Sequence, residues 1–411
     1  MRTSLDGSLL AGVARRLSEV DAARAARYPG DAGGRQPVHT CYVPADRATD
    51  DLPVQWGAAA LSALEEHAPG PRAFAEVLGL PAELAEPVHE KVVAKLAREP
   101  VEDLRIDFED GYGLRADADE DADAVRCAGL VGGSRLAPPW VGIRFKSFER
   151  FERGVRTLDL FLTQLVEVPG GLVLTFPKVT AVEQVEALVE LLGLLEERLG
   201  WPAGRLRFEI QVETTQSIVD ETGSFALPKY LAAGQGRVSG LHFGTYDYTA
   251  ACGLAATEQH LAHAACDFAR HVMQVSAAGT GVRLSDGSTN VLPVGDRDAV
   301  HAAWRNHFGL TLRSLTHGFY QGWDMHPAQL VTRYAANYAF YLGNAGADAK
   351  RLRAYVDKAD AGVLDEPATA QALAMSLRRA LDCGALSSDD LAELCGLSEV
   401  ELDALVRRES P

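Results

Sequence analysis

The chain has 411 residues, with 40 Lys and Arg against 57 Asp and Glu, a formal net charge of −17. Hydrophobic residues make up 47% and charged residues 24%, proportions of a globular enzyme with room for one large barrel plus extensions, or for two domains. The acidic balance excludes a phosphate-backbone partner, which needs a basic face, and no run approaches the ~18 apolar residues of a membrane span, so neither nucleic acid nor membrane is expected as a partner.

Residues 1–35 read as a helical lead-in. Asp6, Arg15, Arg16 and Glu19 are mixed with apolar residues up to Asp21, the pattern of an amphipathic helix and not of a signal peptide, and a Gly-rich stretch follows from Pro29 to Gly34. The cysteines Cys41, Cys127, Cys252, Cys266, Cys383 and Cys395 have no C-x-x-C spacing and read as reduced thiols, mostly buried, of a cytoplasmic protein. Strand candidates recur at 38–43, 104–108, 141–145, 172–176, 206–212 and 240–243, with two weaker ones near 281–293 and 318–325. Helical patterns lie between most of them. In the clearest, 182–199, apolar residues at 182, 185, 188, 189, 192 and 195 make one stripe. Strands alternating with helices predict parallel βα units, and eight of them predict an α/β fold of the TIM (β/α)8 type. The stretch 51–98 is too long for one connection and predicts two or three inserted helices. After Pro327 the pattern turns helical and polar, with a Gly/Ala-rich break at 343–347. The expected organisation is a barrel over 36–342 and a C-terminal helical extension over 343–411.

Chemistry-bearing residues gather where strands give way to loops. The second strand ends in Asp107-Phe108-Glu109-Asp110-Gly111-Tyr112-Gly113. One of these acids could hold metal-bound water or a substrate group; alternatively Asp110 caps the following turn. Arg144 closes the third strand, suited to a bidentate grip on a carboxylate or to stabilising an enolate oxygen, with a structural salt bridge as the alternative. Lys178 follows the fourth, either a Schiff-base nucleophile if desolvated or an electrostatic partner of Glu213. Glu213 and Asp247 end the fifth and sixth. Two carboxylates converging at one barrel face suit a hard divalent cation, Mg2+ above all with Mn2+ as the alternative.

Other motifs fail. Asp117-Ala118-Asp119-Glu120-Asp121 resembles an EF-hand opening, but Ala122 stands at the glycine position and Ala128 at the closing glutamate, so it reads as an acidic helix start. His260 and His263 are expected on a polar helix without a companion ligand. There is no Walker A loop, and no dinucleotide-binding fingerprint follows the first strand.

Taken in order, these segments resemble the HpcH/HpaI aldolase superfamily, in its citrate lyase β-subunit-like and malyl-CoA lyase-like branches, and more distantly malate synthase. Tyr42-Val43-Pro44-Ala45-Asp46-Arg47 resembles an opening "LFVPGDR", Asp107 to Gly111 a "DLEDAV" strand, Arg144 the arginine of "VRVN", and Pro177-Lys178 a "PK". Val212-Glu213-Thr214 is similar to "IET", Phe243 to Tyr248 to "FGxxDL", Met325 to Gln329 to "IHPxQ", and Val363-Leu364-Asp365-Glu366-Pro367 to a C-terminal "MIDxP". The resemblance implies that Glu213 and Asp247 are Mg2+ ligands and that Arg144 contacts substrate and the enolate oxygen. Arg47, Glu109 and Asp110 join Arg144 as substrate-binding candidates. It further implies that Asp365 is an acid/base on a lid reaching the active site of a neighbouring subunit, in a homo-oligomer that is a trimer or a multiple of one.

The expected activity is that of a Mg2+-dependent carbon–carbon lyase or aldolase. It would act on a 2-oxo acid, or its hydroxy-acid adduct, through a metal-stabilised enolate, by retro-aldol or Claisen-type chemistry in either direction. Basic residues for coenzyme A phosphates are not evident, which leaves use of an acyl-CoA open. Two alternatives stand beside this reading: a Schiff-base aldolase using Lys178, and a non-catalytic barrel serving as a scaffold.

Overall fold

The computed structural model describes residues 7–31, 33–133, 138–357 and 366–407. Eight parallel strands follow one another around a ring: β1 (His39–Pro44), β2 (Asp103–Asp107), β3 (Trp140–Arg144), β4 (Leu172–Phe176), β5 (Phe208–Val212), β6 (Val238–Phe243), β7 (Arg283–Ser285) and β8 (Gly322–Asp324). β8 pairs with β1, and a parallel bridge between Ser285 and Gln321 brings β7 to β8, where the Asp286 N–H donates to the Gln321 carbonyl at 2.8 Å. The fold is a TIM barrel.

The strands form because their sequences alternate. In Asp103-Leu104-Arg105-Ile106-Asp107-Phe108 and Phe208-Glu209-Ile210-Gln211-Val212-Glu213, the apolar members are fully buried in the hydrophobic core. The polar members face the lumen. Arg105 on β2 donates from Nε to Oε1 of Glu209 on β5 at 3.1 Å, and since these strands are not neighbours the contact crosses the barrel. Asp103 takes the other edge of the guanidinium at 2.9 Å, and His242 Nε2 lies 2.8 Å from Glu209 Oε2. Gly142 leaves the passage: a Cβ there would stand 2.9 Å from NH1 of Arg105 and 1.6 Å from the Val173 carbonyl oxygen. Burial pushes the Glu209 carboxyl up, but Arg105 and His242 outweigh it and hold it at about 2. Charges this deep are tolerable only when paired in this way.

The helices begin with α1 (Gly7–Arg27), then α2 (Leu52–His67), α3 (Gly70–Leu78) and α4 (Ala82–Arg98), which are the inserted elements between β1 and β2. The barrel's own connections carry α5 (Asp117–Gly132), α6 (Phe151–Thr163), α7 (Val182–Leu199), α8 (Thr215–Ile218), α9 (Leu227–Ala233), α10 (Thr245–Ala251), α11 (Ala264–Ala277) and α12 (Arg297–Thr316). The acids from Asp117 to Glu120 open α5, where they suit the helix dipole.

After β8, α13 (Pro327–Val356) runs for 30 residues and packs against α2, α4 and α12. The break expected at 343–347 is absent, and the division at 342/343 falls inside this helix. His326 and Gln329 start it with a capping box, and the buried residues Tyr341, Ala345, Ala349 and Leu352 carry its apolar stripe past Gly343 and Gly346. Helices α14 (Pro367–Asp382) and α15 (Ser388–Cys395) pack on α13, and α16 (Glu399–Val406) on α14. Among the described residues no helix is long and apolar enough to cross a membrane.

Candidate metal centre

The site begins with Asp107, the last residue of β2. Its carboxylate accepts the N–H of Glu109 at 2.9 Å and of Gly111 at 2.8 Å, which folds the loop back over the strand end. The same carboxylate receives Arg144 from β3 in a two-point grip, Nε to Oδ1 at 2.6 Å and NH2 to Oδ2 at 2.7 Å. Arg144 is 5% exposed, and its guanidinium lies 5.1 Å from the Tyr42 ring centre and 5.9 Å from that of Trp323. Burial works against its charge, but Asp107 outweighs this and keeps the guanidinium protonated. Its bidentate edge is therefore engaged inside the protein. The remaining nitrogen, NH1, donates to Gln211 Oε1 at 3.2 Å and stands 3.9 Å from Asp110 Oδ2.

Gln211 passes the contact on by donating from Nε2 to Oε2 of Glu213. Glu213 lies just beyond β5, 2% exposed, and its Oε1 accepts the backbone N–H of Lys178 at 2.8 Å. Gly244 makes room for it, since a Cβ there would stand 2.4 Å from the Cβ of Glu213. Asp247 comes from the first turn of α10 and Asp110 from the β2 loop, with side chains 47% and 52% exposed. One carboxylate oxygen from each of Asp110, Glu213 and Asp247 lies within 4.8 Å of the others. The Lys178 ammonium sits at the edge of this group, 2.8 and 3.0 Å from the Asp110 oxygens and 3.1 Å from Asp247 Oδ2.

Burial pushes Glu213 up, Arg144 draws it back and Asp247 pushes again, leaving it at about 8. Burial would lower Lys178, but its hydrogen bond to Asp110 and the charges of Glu213, Asp110 and Glu109 hold it above the usual lysine value. Three carboxylate oxygens converging at the ends of three strands, that of Glu213 almost fully buried, form a hard donor set of the kind that fits Mg2+ or Mn2+.

The remaining sequence candidates spread around this centre. Glu109 is partly buried, its carboxylate 3.9 Å from Lys178 Nζ and pushed up by burial and by Asp110. Arg47 is exposed just after β1 and makes no ion pair or hydrogen bond among the described residues. Asp365 lies outside the described residues. His260 and His263 are not on a helix as expected: they precede α11, and His263 caps it by accepting the Ala265 N–H at 3.1 Å. Sequence reasoning missed Gln211 and the part played by Asp107. Gln211 stands near the end of β5 and Glu213 just past it, two residues on, and the period of 2 continued one step places both on the lumen face. Asp110, read from sequence as a substrate contact, falls in the carboxylate group.

The profile of a family described as a domain of unknown function, DUF6986, matches residues 17–410. No curated protein matches. Among solved structures, the chain is similar to Haloferax volcanii malate synthase in its native form at glyoxylate, with 16% identity, TM-score 0.47, and 75% of this chain and 76% of that one covered. The magnesium/glyoxylate complex of the same enzyme aligns with 16% identity and TM-score 0.47 over 90% of this chain and 97% of that one. An HpcH/HpaI aldolase/citrate lyase family protein from Burkholderia cenocepacia J2315 aligns with 13% identity and TM-score 0.42 over 79% and 99%. Similarity at this level does not decide an activity, which has to come from the residues of the site.

Proposed function

The chain belongs to the DUF6986 family, and from its site we propose that it is a divalent-metal-dependent carbon–carbon lyase or aldolase acting on a 2-oxo acid or its hydroxy-acid adduct. One observation carries the reading: Asp110, Glu213 and Asp247 bring three carboxylate oxygens within 4.8 Å at the strand ends of a TIM barrel. A bound Mg2+ or Mn2+ would supply a Lewis acid that polarises a carbonyl oxygen.

The chain's own residues do the rest. Arg144, fixed by Asp107, directs NH1 toward the carboxylate group and offers a donor for the substrate oxygen that gains charge as the adjacent bond forms or breaks. Arg47, exposed and free of partners among the described residues, offers a fork for a substrate carboxylate. Glu109 lies close enough to Lys178 to orient what binds beside it. Asp365 is assigned the acid/base role, acting on a neighbouring copy within a trimer or a multiple of one. Use of an acyl-CoA as second substrate stays within the proposal.

Lys178 serves here as an electrostatic partner. A Schiff-base nucleophile must be a neutral amine, whereas Asp110 and Asp247 hold this one as an ammonium. The test is a screen of 2-oxo acids with and without acyl-CoA, run with Mg2+ and with EDTA, together with borohydride trapping. Turnover that EDTA abolishes and Mg2+ restores supports the metal-dependent reading. A substrate adduct trapped on Lys178, with turnover indifferent to EDTA, would overturn it.

A further inference from the structure

Asp110 reaches the carboxylate group from the loop 108–113, and that loop is gripped from two sides. Asp107 accepts its amide hydrogens, those of Glu109 and Gly111. The second grip comes from Lys146, two residues beyond Arg144 and only 4% exposed. Its Nζ donates to the Phe108 carbonyl at 2.6 Å and to the Gly113 carbonyl at 3.0 Å, and stands 3.4 Å from Glu120 Oε2. Those carbonyls are the first and the last of the loop, so a single ammonium closes it. The Gly113 N–H completes the turn by donating to the Glu109 carbonyl at 2.8 Å. It does so from a left-handed conformation, φ 73°, that glycine takes at no steric cost. The Tyr112 ring lies against the same ammonium, 5.5 Å from Nζ to its centre.

An ammonium has three donors, and here three acceptors surround it. Glu120, buried on α5, balances the charge and is itself fixed by Thr157 Oγ1 at 2.6 Å and Arg153 Nε at 3.2 Å. A buried ion pair is costly, and apolar residues of similar volume often serve stability as well. What an apolar side chain cannot do is hold two carbonyls in place. We propose that Lys146 is the positioning residue that sets Asp110 in the metal centre. It acts through the loop, making no hydrogen bond or ion pair with Asp110, Glu213 or Asp247 among the described residues. Its role rests on the proposed metal centre, to which it adds the source of the third carboxylate's placement. Glu213 and Asp247 come from other strand ends and do not depend on this loop. Removing Lys146 should therefore cost the centre what removing the Asp110 carboxylate costs, and no more.

The test is a double-mutant cycle of Lys146→Met and Asp110→Asn in the full chain, read as Mn2+ affinity by calorimetry. Lys146→Met is expected to lose about 10–100-fold. The double variant is expected to bind within about twofold of Asp110→Asn alone. An affinity unmoved by Lys146→Met, or two losses that multiply in the double variant, would overturn the proposal. Hydrogen exchange of the metal-free protein gives a reading that needs no ion. The Glu109 and Gly111 amides should exchange faster in Lys146→Met while those of the barrel strands keep their rates, whereas a merely structural lysine would speed both or neither. If Lys146→Met does not fold, adding Glu120→Gln removes the stranded carboxylate, and the cycle runs from Glu120→Gln as its reference. A wild type that binds no Mn2+ refutes the metal centre itself. Loop amides with unchanged exchange in the variant refute the clamp, whatever the metal does.

Discussion

Lys178 positions Glu213 with its backbone, donating its N–H to Oε1 at 2.8 Å from a left-handed conformation with φ 51°. A residue with a side chain pays for that conformation, so the strain is sustained by what the bond achieves: it fixes a buried carboxylate beside Asp110 and Asp247. Lys178→Gly and Lys178→Ala both remove the ammonium, but only glycine relaxes the backbone. The glycine variant is expected to be the more stable of the two by about 1 kcal/mol in urea unfolding. Equal stability, or the reverse order, would show that the conformation carries no strain.

Gln211 joins Arg144 to Glu213, accepting from one and donating to the other. Gln211→Leu keeps the volume and removes both contacts, leaving the Glu213 carboxylate free to turn. Outer-shell partners of this kind are worth about 10–100-fold in metal affinity, and a Mn2+ titration of the variant should show a loss of that size with the fold intact. Unchanged affinity would reduce Gln211 to a packing residue.

Arg144 has a structural duty besides its proposed chemical one, because its fork closes on Asp107, which in turn shapes the loop carrying Asp110. Arg144→Ala strands a carboxylate that is 2% exposed, a loss expected to cost about 3–5 kcal/mol in unfolding free energy. Arg144→Lys keeps a charge near Asp107 but cannot also reach Gln211, so it should fold and lose most turnover. A lysine variant with full kcat/KM would leave Arg144 with the structural duty alone.

Arg35, Lys95, Glu99 and Glu102 tie the start of the barrel to α4. Arg35 holds Glu99 at 3.0 and 2.8 Å, and Lys95 lies 2.6 Å from Glu102. Burial would raise Glu99 from its ordinary 4.5, but the hydrogen bonds from Arg35 and Lys95 outweigh it and hold the carboxyl at about 2. A carboxyl depressed in the folded state stabilises fully above its unfolded value and loses that contribution as pH falls toward the folded one. Stability should therefore decline from about pH 4.5 to about pH 2, and Glu99→Gln should flatten part of that decline in unfolding curves taken across the range. Parallel curves for wild type and variant would contradict this.

Much of the barrel was legible because its strands alternate and its helices keep one apolar stripe, as 172–176 and 182–199 show by matching β4 and α7 residue for residue. β7 and β8 were faint because each has three residues and they include Arg283, Ser285, Gly322 and Asp324. The lumen network of Asp103, Arg105, Glu209 and His242 was not legible because its pairing crosses the barrel, between strands that are neither neighbours in the sheet nor close in the chain. The break placed at 343–347 followed small residues and overlooked the stripe through Ala345, Ala349 and Leu352. At the site, Glu213 and Asp247 were readable from their places at strand ends. The position of Asp110 was not, because it depends on how Asp107 folds the loop, and the engagement of Arg144 by Asp107 depends on the register between β2 and β3.

The central claim is a divalent cation held by Asp110, Glu213 and Asp247. Calorimetric titration of Mg2+ and Mn2+ into the wild type, Glu213→Gln and Asp247→Asn tests it most directly. One ion per chain should bind the wild type, and each variant should lose most of that affinity while keeping its thermal unfolding transition. Affinity unchanged in both variants, or no binding to a folded wild type, would contradict the assignment.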